Sequence, residues 1–235
     1  MAIRHIKLDN KNFDISYILL DNKQKDWILI LHGWGASKEL MYNAFRASFK
    51  LYNHIYIDLP GFGNSSNNFI LDSKLYAKVI KAFLDSINIT PKAILGHSFG
   101  GKISLLLNPR ILILLSSSGL VKEKSLKVKL KIKLAKIANL FGLNINSLRS
   151  KDALNLSKTM YETFKIVVNE DFSKEFSEYQ NQAFIFWGRD DDITPLYLGE
   201  KMKFLIRNSE LYVFNGGHFF FLENTNNIDR IFNGK

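Results

Sequence analysis

The chain has 235 residues, 46% of them hydrophobic and 13% aromatic. That composition fits one large globular domain and excludes a disordered chain. Its longest apolar runs, such as ILILL at 111–115, are far too short to span a bilayer. The absence of cysteine excludes disulfides, thiolate metal sites and cysteine nucleophiles.

The opening stretch MAIRHIKLDN lacks the apolar segment of a signal peptide, so a cytoplasmic location and no transmembrane segment are expected. The net charge of +10 is concentrated: residues 122–158 hold ten Lys and Arg against two acids. No nucleic-acid-binding module accompanies this segment, so no nucleic-acid partner is expected, and solvated lysine-rich faces explain the charge equally well.

In chain order, DWILILHGWG (26–35) reads as a buried strand ending in a glycine-rich turn, and HIYIDLPGFGNSS (54–66) repeats that pattern. Over 73–89, Leu75, Val79, Ile80, Phe83, Leu84 and Ile87 share one face of a helix. KAILGHSFGG is a short strand running into a turn, followed by the helix KISLLL and a stop at NPR. RILILLSSSGL (110–120), AFIFWGRDDD (183–192) and ELYVFNGGH (210–218) are three further strands. Continuous apolar strands alternating with helices predict a mostly parallel sheet covered on both faces.

Residues 120–180 break that rhythm. Leu126, Leu130, Leu134, Ile137 and Phe141 fall at helical spacing within KSLKVKLKIKLAKIANLF, which predicts a helix over 124–141. The expected division is a core of 1–119 and 181–235, with 120–180 inserted as a basic helical lid over the strand ends.

Ligands of open α/β sheets bind beyond the carboxyl ends of the strands, where the candidate residues lie. Ser98 stands in GHSFGG between a strand and a helix, with Gly96, Gly100 and Gly101 removing side chains from a sharp turn. A nucleophile there would also face the N–H groups of a helix start. The competing reading is an ordinary strand–helix turn capped by serine.

Of the five histidines, His5 reads as a surface residue and His54 as structural, and His32 reads as bracing a loop. His97, beside the serine, should point away from it. That leaves His218 as the base, in GGHFFFLE after the last strand. Asp190, Asp191 and Asp192 each offer a carboxylate to orient it, in the chain order Ser, Asp, His. The backbone N–H groups of Phe99 and of Trp34 in HGWG are candidate oxyanion donors.

On these blocks, HGWGAS, DLPGFGNSS, GHSFGG, WGRDDDITP and GGHFFFLE, the chain resembles the α/β-hydrolase superfamily, in its lidded small-molecule branch, from end to end. The resemblance implies an α/β-hydrolase fold with an inserted helical lid. It selects Asp191, four residues after Trp187 in the block closed by Pro195. QNQAF departs from the family, which often has a proline before the penultimate strand. The lysine-rich lid departs as well, and it leaves the substrate open.

The implied activity is a serine carboxylesterase acting on a small to medium ester through Ser98, His218 and Asp191. One alternative is a carbon–carbon bond hydrolase of ring-cleavage dienones, with Arg149 as a contact for an acid tail. Another is a methyl esterase of acyl chains on an acidic carrier protein, to which a basic lid would be complementary. A third is a non-catalytic binding module on the same fold, and a fourth a basic module for nucleic acid or an anionic membrane surface. No metal or organic cofactor is expected, because the histidines lack ligand spacing and no phosphate-binding glycine signature is present.

Overall fold

The structure is a computed structural model that describes residues 2–121 and 157–234. Eight strands form one sheet in the order β1-β2-β4-β3-β5-β6-β7-β8. The strands are β1 Ala2–Leu8, β2 Lys11–Leu20, β3 Trp27–Leu31, β4 Asn53–Ile57, β5 Ala93–His97, β6 Ile111–Leu115, β7 Gln182–Gly188 and β8 Ser209–Phe214. From β4 across to β8 every neighbouring pair is parallel. β1 and β2 form an antiparallel hairpin that adds to β4 antiparallel.

Helices on both faces explain the parallel part. In β3, Ile28 and Ile30 pack with Phe45 of α1 (Lys38–Phe45) and Ile228 of α7 (Phe221–Asn233). Leu29 and Leu31 point the other way, toward Val79, Ile80 and Phe83 of α2 (Ser73–Ser86) and Ile103 of α3 (Phe99–Leu106). The two-residue alternation of a strand thus feeds two apolar layers, and the sequence reads as unbroken hydrophobic runs. A third cluster packs β6 and β7 against α5 (Ser173–Glu178) and α6 (Leu196–Leu205).

The hairpin is the part the sequence reading passed over. β1 has one buried residue, Ile6, and carries Arg4, His5 and Lys7 outward. Such an edge strand gives a weak apolar signal because only one neighbour covers it, and its charges discourage further pairing. His5 lies on this surface within 2.6 Å of Asp14.

Helix α2 runs to Ser86 rather than 89, because Asn88 turns the chain with a φ of 56°. Its start is capped by Asp72, which accepts from the Leu75 N–H at 2.7 Å. Between β6 and β7 the described residues hold two helices, α4 (Lys158–Val167) and α5, and no strand. The helix expected over 124–141 and Arg149 lie outside the described residues.

A buried ion pair fixes the two turns nearest the sheet's upper edge. Lys38 Nζ donates to Asp58 Oδ2 at 2.6 Å, and both side chains are fully buried. Burial alone would push the Lys38 ammonium down, but Asp58 and Glu39 outweigh it and hold it above its usual value. The Asp58 carboxylate also accepts from the Lys38 and Asn64 N–H groups at 2.8 and 2.9 Å. Gly63, at a φ of 53°, leaves room for it, since a methyl group there would lie 2.3 Å from the carboxylate. Lys38→Met, which strands Asp58, is expected to lower the unfolding free energy by about 3–5 kcal/mol in urea titration. A loss below about 1 kcal/mol, the scale of an exposed pair, would contradict this account of the turns.

Candidate active site

Ser98 follows β5 and starts α3, with φ 50° and ψ −113°. A residue with a side chain rarely occupies this region, and it persists here because the packing leaves no alternative. A methyl group on Gly96 would lie 2.4 Å from the Gly100 carbonyl oxygen, and one on Gly100 would lie 2.6 Å from that of His32. Helix α3 therefore crosses β5 and the end of β3 at a distance only glycine permits. The result is a tight elbow that presents the Ser98 side chain at the carboxyl edge of the sheet.

Asp191 and His218 meet at the same edge. The Nδ1–H of His218 donates to Asp191 Oδ2 at 2.8 Å, leaving Nε2 as the basic nitrogen of the neutral ring. Asp191 is buried, while its neighbours Asp190 and Asp192 are exposed. Its Oδ1 accepts from the Ile193 and Thr194 N–H groups at 2.9 and 2.8 Å. Burial raises the Asp191 carboxyl, but His218 and these donors outweigh it, so the group sits below the ordinary carboxylate range.

Two neighbours of this pair gave no separate signal in the sequence. Thr194 Oγ1 lies 2.9 Å from Asp191 Oδ2, 3.2 Å from His218 Nδ1 and 3.0 Å from the Ser116 carbonyl oxygen. The other is His97. Its ring was expected to point away from the serine, and it packs against the ring of His218 with centroids 4.6 Å apart.

The remaining histidines brace the scaffold. His32 Nδ1–H donates to the Gly33 carbonyl at 2.7 Å, and its Nε2 accepts from the Leu59 N–H at 2.9 Å. These bonds link the loop after β3 to the loop after β4, and burial pushes the His32 imidazolium down. His54 is within 2.7 Å of the Tyr56 hydroxyl and 3.1 Å of the Phe49 carbonyl oxygen.

Ser98 and His218 line one cavity of about 340 Å³. Trp34 and Phe99, the two residues expected to supply oxyanion donors, line it as well. Phe99 is the first residue of α3, where backbone N–H groups have no acceptor within the helix. The walls are mainly apolar, with Trp34, Phe164, Val167, Ile193, Leu198 and Phe219 contributing. Charge reaches the walls at Glu170 and at Lys102, one turn beyond Ser98 on α3. Its ammonium donates to the Val167 carbonyl and to Glu170 Oε2, the latter at 3.0 Å. Burial pushes it below the ordinary lysine range, with Glu170 acting in the opposite direction. Glu170 also accepts from the Ser73 N–H at 3.0 Å, so the pair rivets the segment after α4 to both α2 and α3.

Among the described residues, no three His, Asp or Glu side chains are grouped to hold a metal ion. No helix among them is long and apolar enough to cross a membrane.

Residues 26–109 match the family model of the alpha/beta hydrolase fold. A 2-hydroxy-6-oxononadienedioate/2-hydroxy-6-oxononatrienedioate hydrolase of Pseudomonas putida is 24% identical over 97% of this chain and 94% of its own length. An uncharacterized hydrolase of Bacillus subtilis, YugF, is also 24% identical, over 89% and 88%. Among solved structures, Est816, described as an N-acyl homoserine lactone degrading enzyme, superposes with a TM-score of 0.76 at 21% identity, covering 98% of this chain and 99% of its own. An esterase from Thermogutta terrifontis gives 0.72 at 16% identity over 100% and 97%. At these identities the structural likenesses speak for the fold alone. With the sheet order, the elbow and the matched model together, the chain has the α/β-hydrolase fold and is a hydrolase enzyme.

Proposed function

We propose that the protein is a serine hydrolase that cleaves a small to medium carboxylic ester through an acyl-enzyme. The observation that carries this reading is the bonded Asp191–His218 pair in the cavity that Ser98 also lines, with Ser98 held at a positive φ.

In this reading His218 Nε2 takes the hydroxyl proton of Ser98 as Oγ attacks the ester carbonyl carbon. The Nδ1–H bond to Asp191 fixes the tautomer and stabilises the imidazolium that forms. The Phe99 and Trp34 N–H groups hold the oxyanion of the tetrahedral intermediate. His218 returns its proton to the leaving alkoxide, the alcohol departs, and the acyl group stays on Ser98. A water then repeats the sequence in reverse roles and releases the acid.

The first alternative is carbon–carbon cleavage of a ring-cleavage dienone, and the Pseudomonas putida relative favours it. A substrate with two carboxylates calls for an uncompensated cation in the cavity. Lys102, the cation that lines it among the described residues, is already neutralised by Glu170. A neutral acyl group therefore fits the described walls better than a dioate. The carrier-protein reading leans on the basic segment 122–158, most of which lies outside the described residues, and the relatives named above do not support it. The lid assignment of 120–180 remains part of this proposal: α4 and the Lys102–Glu170 rivet would form its base.

p-Nitrophenyl esters of graded acyl length test the reading. Saturable turnover is expected, with an optimum at short to medium chains, and Ser98→Ala should lower kcat by about 10⁵-fold or more. Asp191→Asn should keep the fold and lower kcat by about 10⁴-fold. Wild-type turnover that survives in Ser98→Ala would exclude the mechanism.

A further inference from the structure

His97 has no part in the proton transfers above, yet it is almost completely buried and touches two of the loops that build the site, those after β3 and β8. It is the last residue of β5, one before Ser98. Its Nε2–H donates to the backbone carbonyl of His218 at 3.0 Å. Its ring packs against that of His218 and against those of Phe219 and Phe221, whose centroids are 5.1 and 4.9 Å away. On the other side it meets the loop after β3: a methyl group on Gly33 would stand 2.8 Å from His97 Nδ1. That nitrogen is buried and has no hydrogen-bond partner among the described residues.

We propose that His97 is a positioning residue for the base, an imidazole whose Nε2–H fixes the His218 main chain against the Ser98 elbow. Its effect on turnover rests on the serine-hydrolase reading. The tautomer follows from the contacts. A bond to a carbonyl oxygen requires the proton on Nε2, so Nδ1 carries a lone pair. Protonating Nδ1 would bury a charge and a donor with nothing to accept it.

The charged and titratable groups around the ring are His218 from the loop after β8, Asp191 from the loop after β7 and His32 from the end of β3. Burial dominates among these influences and, with His218, holds the His97 imidazolium down at about 3. Neutrality has a function here. A cation 4.6 Å from the His218 ring would oppose the imidazolium that forms there during attack by Ser98.

His218 is thereby held twice. Asp191 fixes its side chain through Nδ1, and His97 fixes its main chain through the carbonyl oxygen. The second bond joins the residue next to the nucleophile directly to the base. It sets the spacing of the two reacting groups without depending on the rest of the loop.

Steady-state kinetics of His97→Phe and His97→Gln, together with long-range ¹H–¹⁵N NMR of the wild-type histidine rings, test the proposal. His97→Phe keeps a planar ring and loses the donor. It should lower kcat about 10- to 100-fold, the scale of a small misplacement of reacting groups, with KM within about twofold. His97→Gln, which restores an N–H, should recover most of kcat. The wild-type His97 ring should stay neutral and protonated on Nε2 from about pH 5 to 8, where an ordinary histidine titrates. A wild-type kcat in His97→Phe, equal losses in both variants, or a ring that titrates in that window would overturn the proposal. The NMR measurement needs neither a folded variant nor turnover. A protein that hydrolyses no ester would therefore count against the serine-hydrolase reading, while the His97 ring would still be decided on its own.

Discussion

Helix α3 lies so close to β5 and to the end of β3 that no side chain fits between them. Gly96 faces the Gly100 carbonyl, Gly100 faces the carbonyls of Leu31 and His32, and Gly101 faces Ser117. The chain cannot pass from β5 into α3 through an open loop, because these contacts leave no space for one. It turns within a single residue, Ser98, whose backbone is driven to a positive φ. The remaining features of the site are arranged around that turn. The β3 loop is brought to the first turn of the helix, and β6 and β7 beyond it carry Ser116 and Asp191 to the same edge.

Among the described residues, two buried lysines lie beside this edge, and both are paired with an acid. Lys38 and Asp58 join the turn after β3 to the turn after β4, and Lys102 and Glu170 join helix α3 to the segment after α4. Pairs of this kind add little net stability compared with apolar side chains of the same size. What they provide is register: Lys38 is held by Asp58 and Glu39, and Lys102 by Glu170, and these pairings fix how the loops they tie are placed. The walls of the cavity that Ser98 lines are mainly apolar, and the lysine among its described lining residues is paired with Glu170.

The fold was legible from strand and turn chemistry where both faces of a strand are covered. The five apolar runs at 26–35, 54–66, 110–120, 183–192 and 210–218 all contain strands of the sheet, as does KAIL before the elbow. The β1–β2 hairpin was not legible, because an edge strand covered on one side presents charges where a core strand presents Val, Ile or Leu. Of the three adjacent aspartates, the family resemblance singled out Asp191, and Asp191 is the one whose carboxylate reaches His218. Elimination among five histidines left His218 by its place after the last strand. His97 was read as turned away from the serine, because it is the serine's neighbour on the elbow. Sequence spacing could not reveal that the loop after β8 folds back over that ring. The Thr194 hydroxyl and the Lys102–Glu170 pair escaped for the same reason, being contacts between elements distant in the chain.

The central claim is that Ser98 is a nucleophile activated by His218. Labelling the native protein with a fluorophosphonate and mapping the adduct by peptide mass spectrometry tests it without knowledge of the substrate. One phosphonylated residue is expected, Ser98, with labelling abolished in His218→Ala. An unlabelled protein, or an adduct on another serine such as Ser118 at the same cavity, would contradict it.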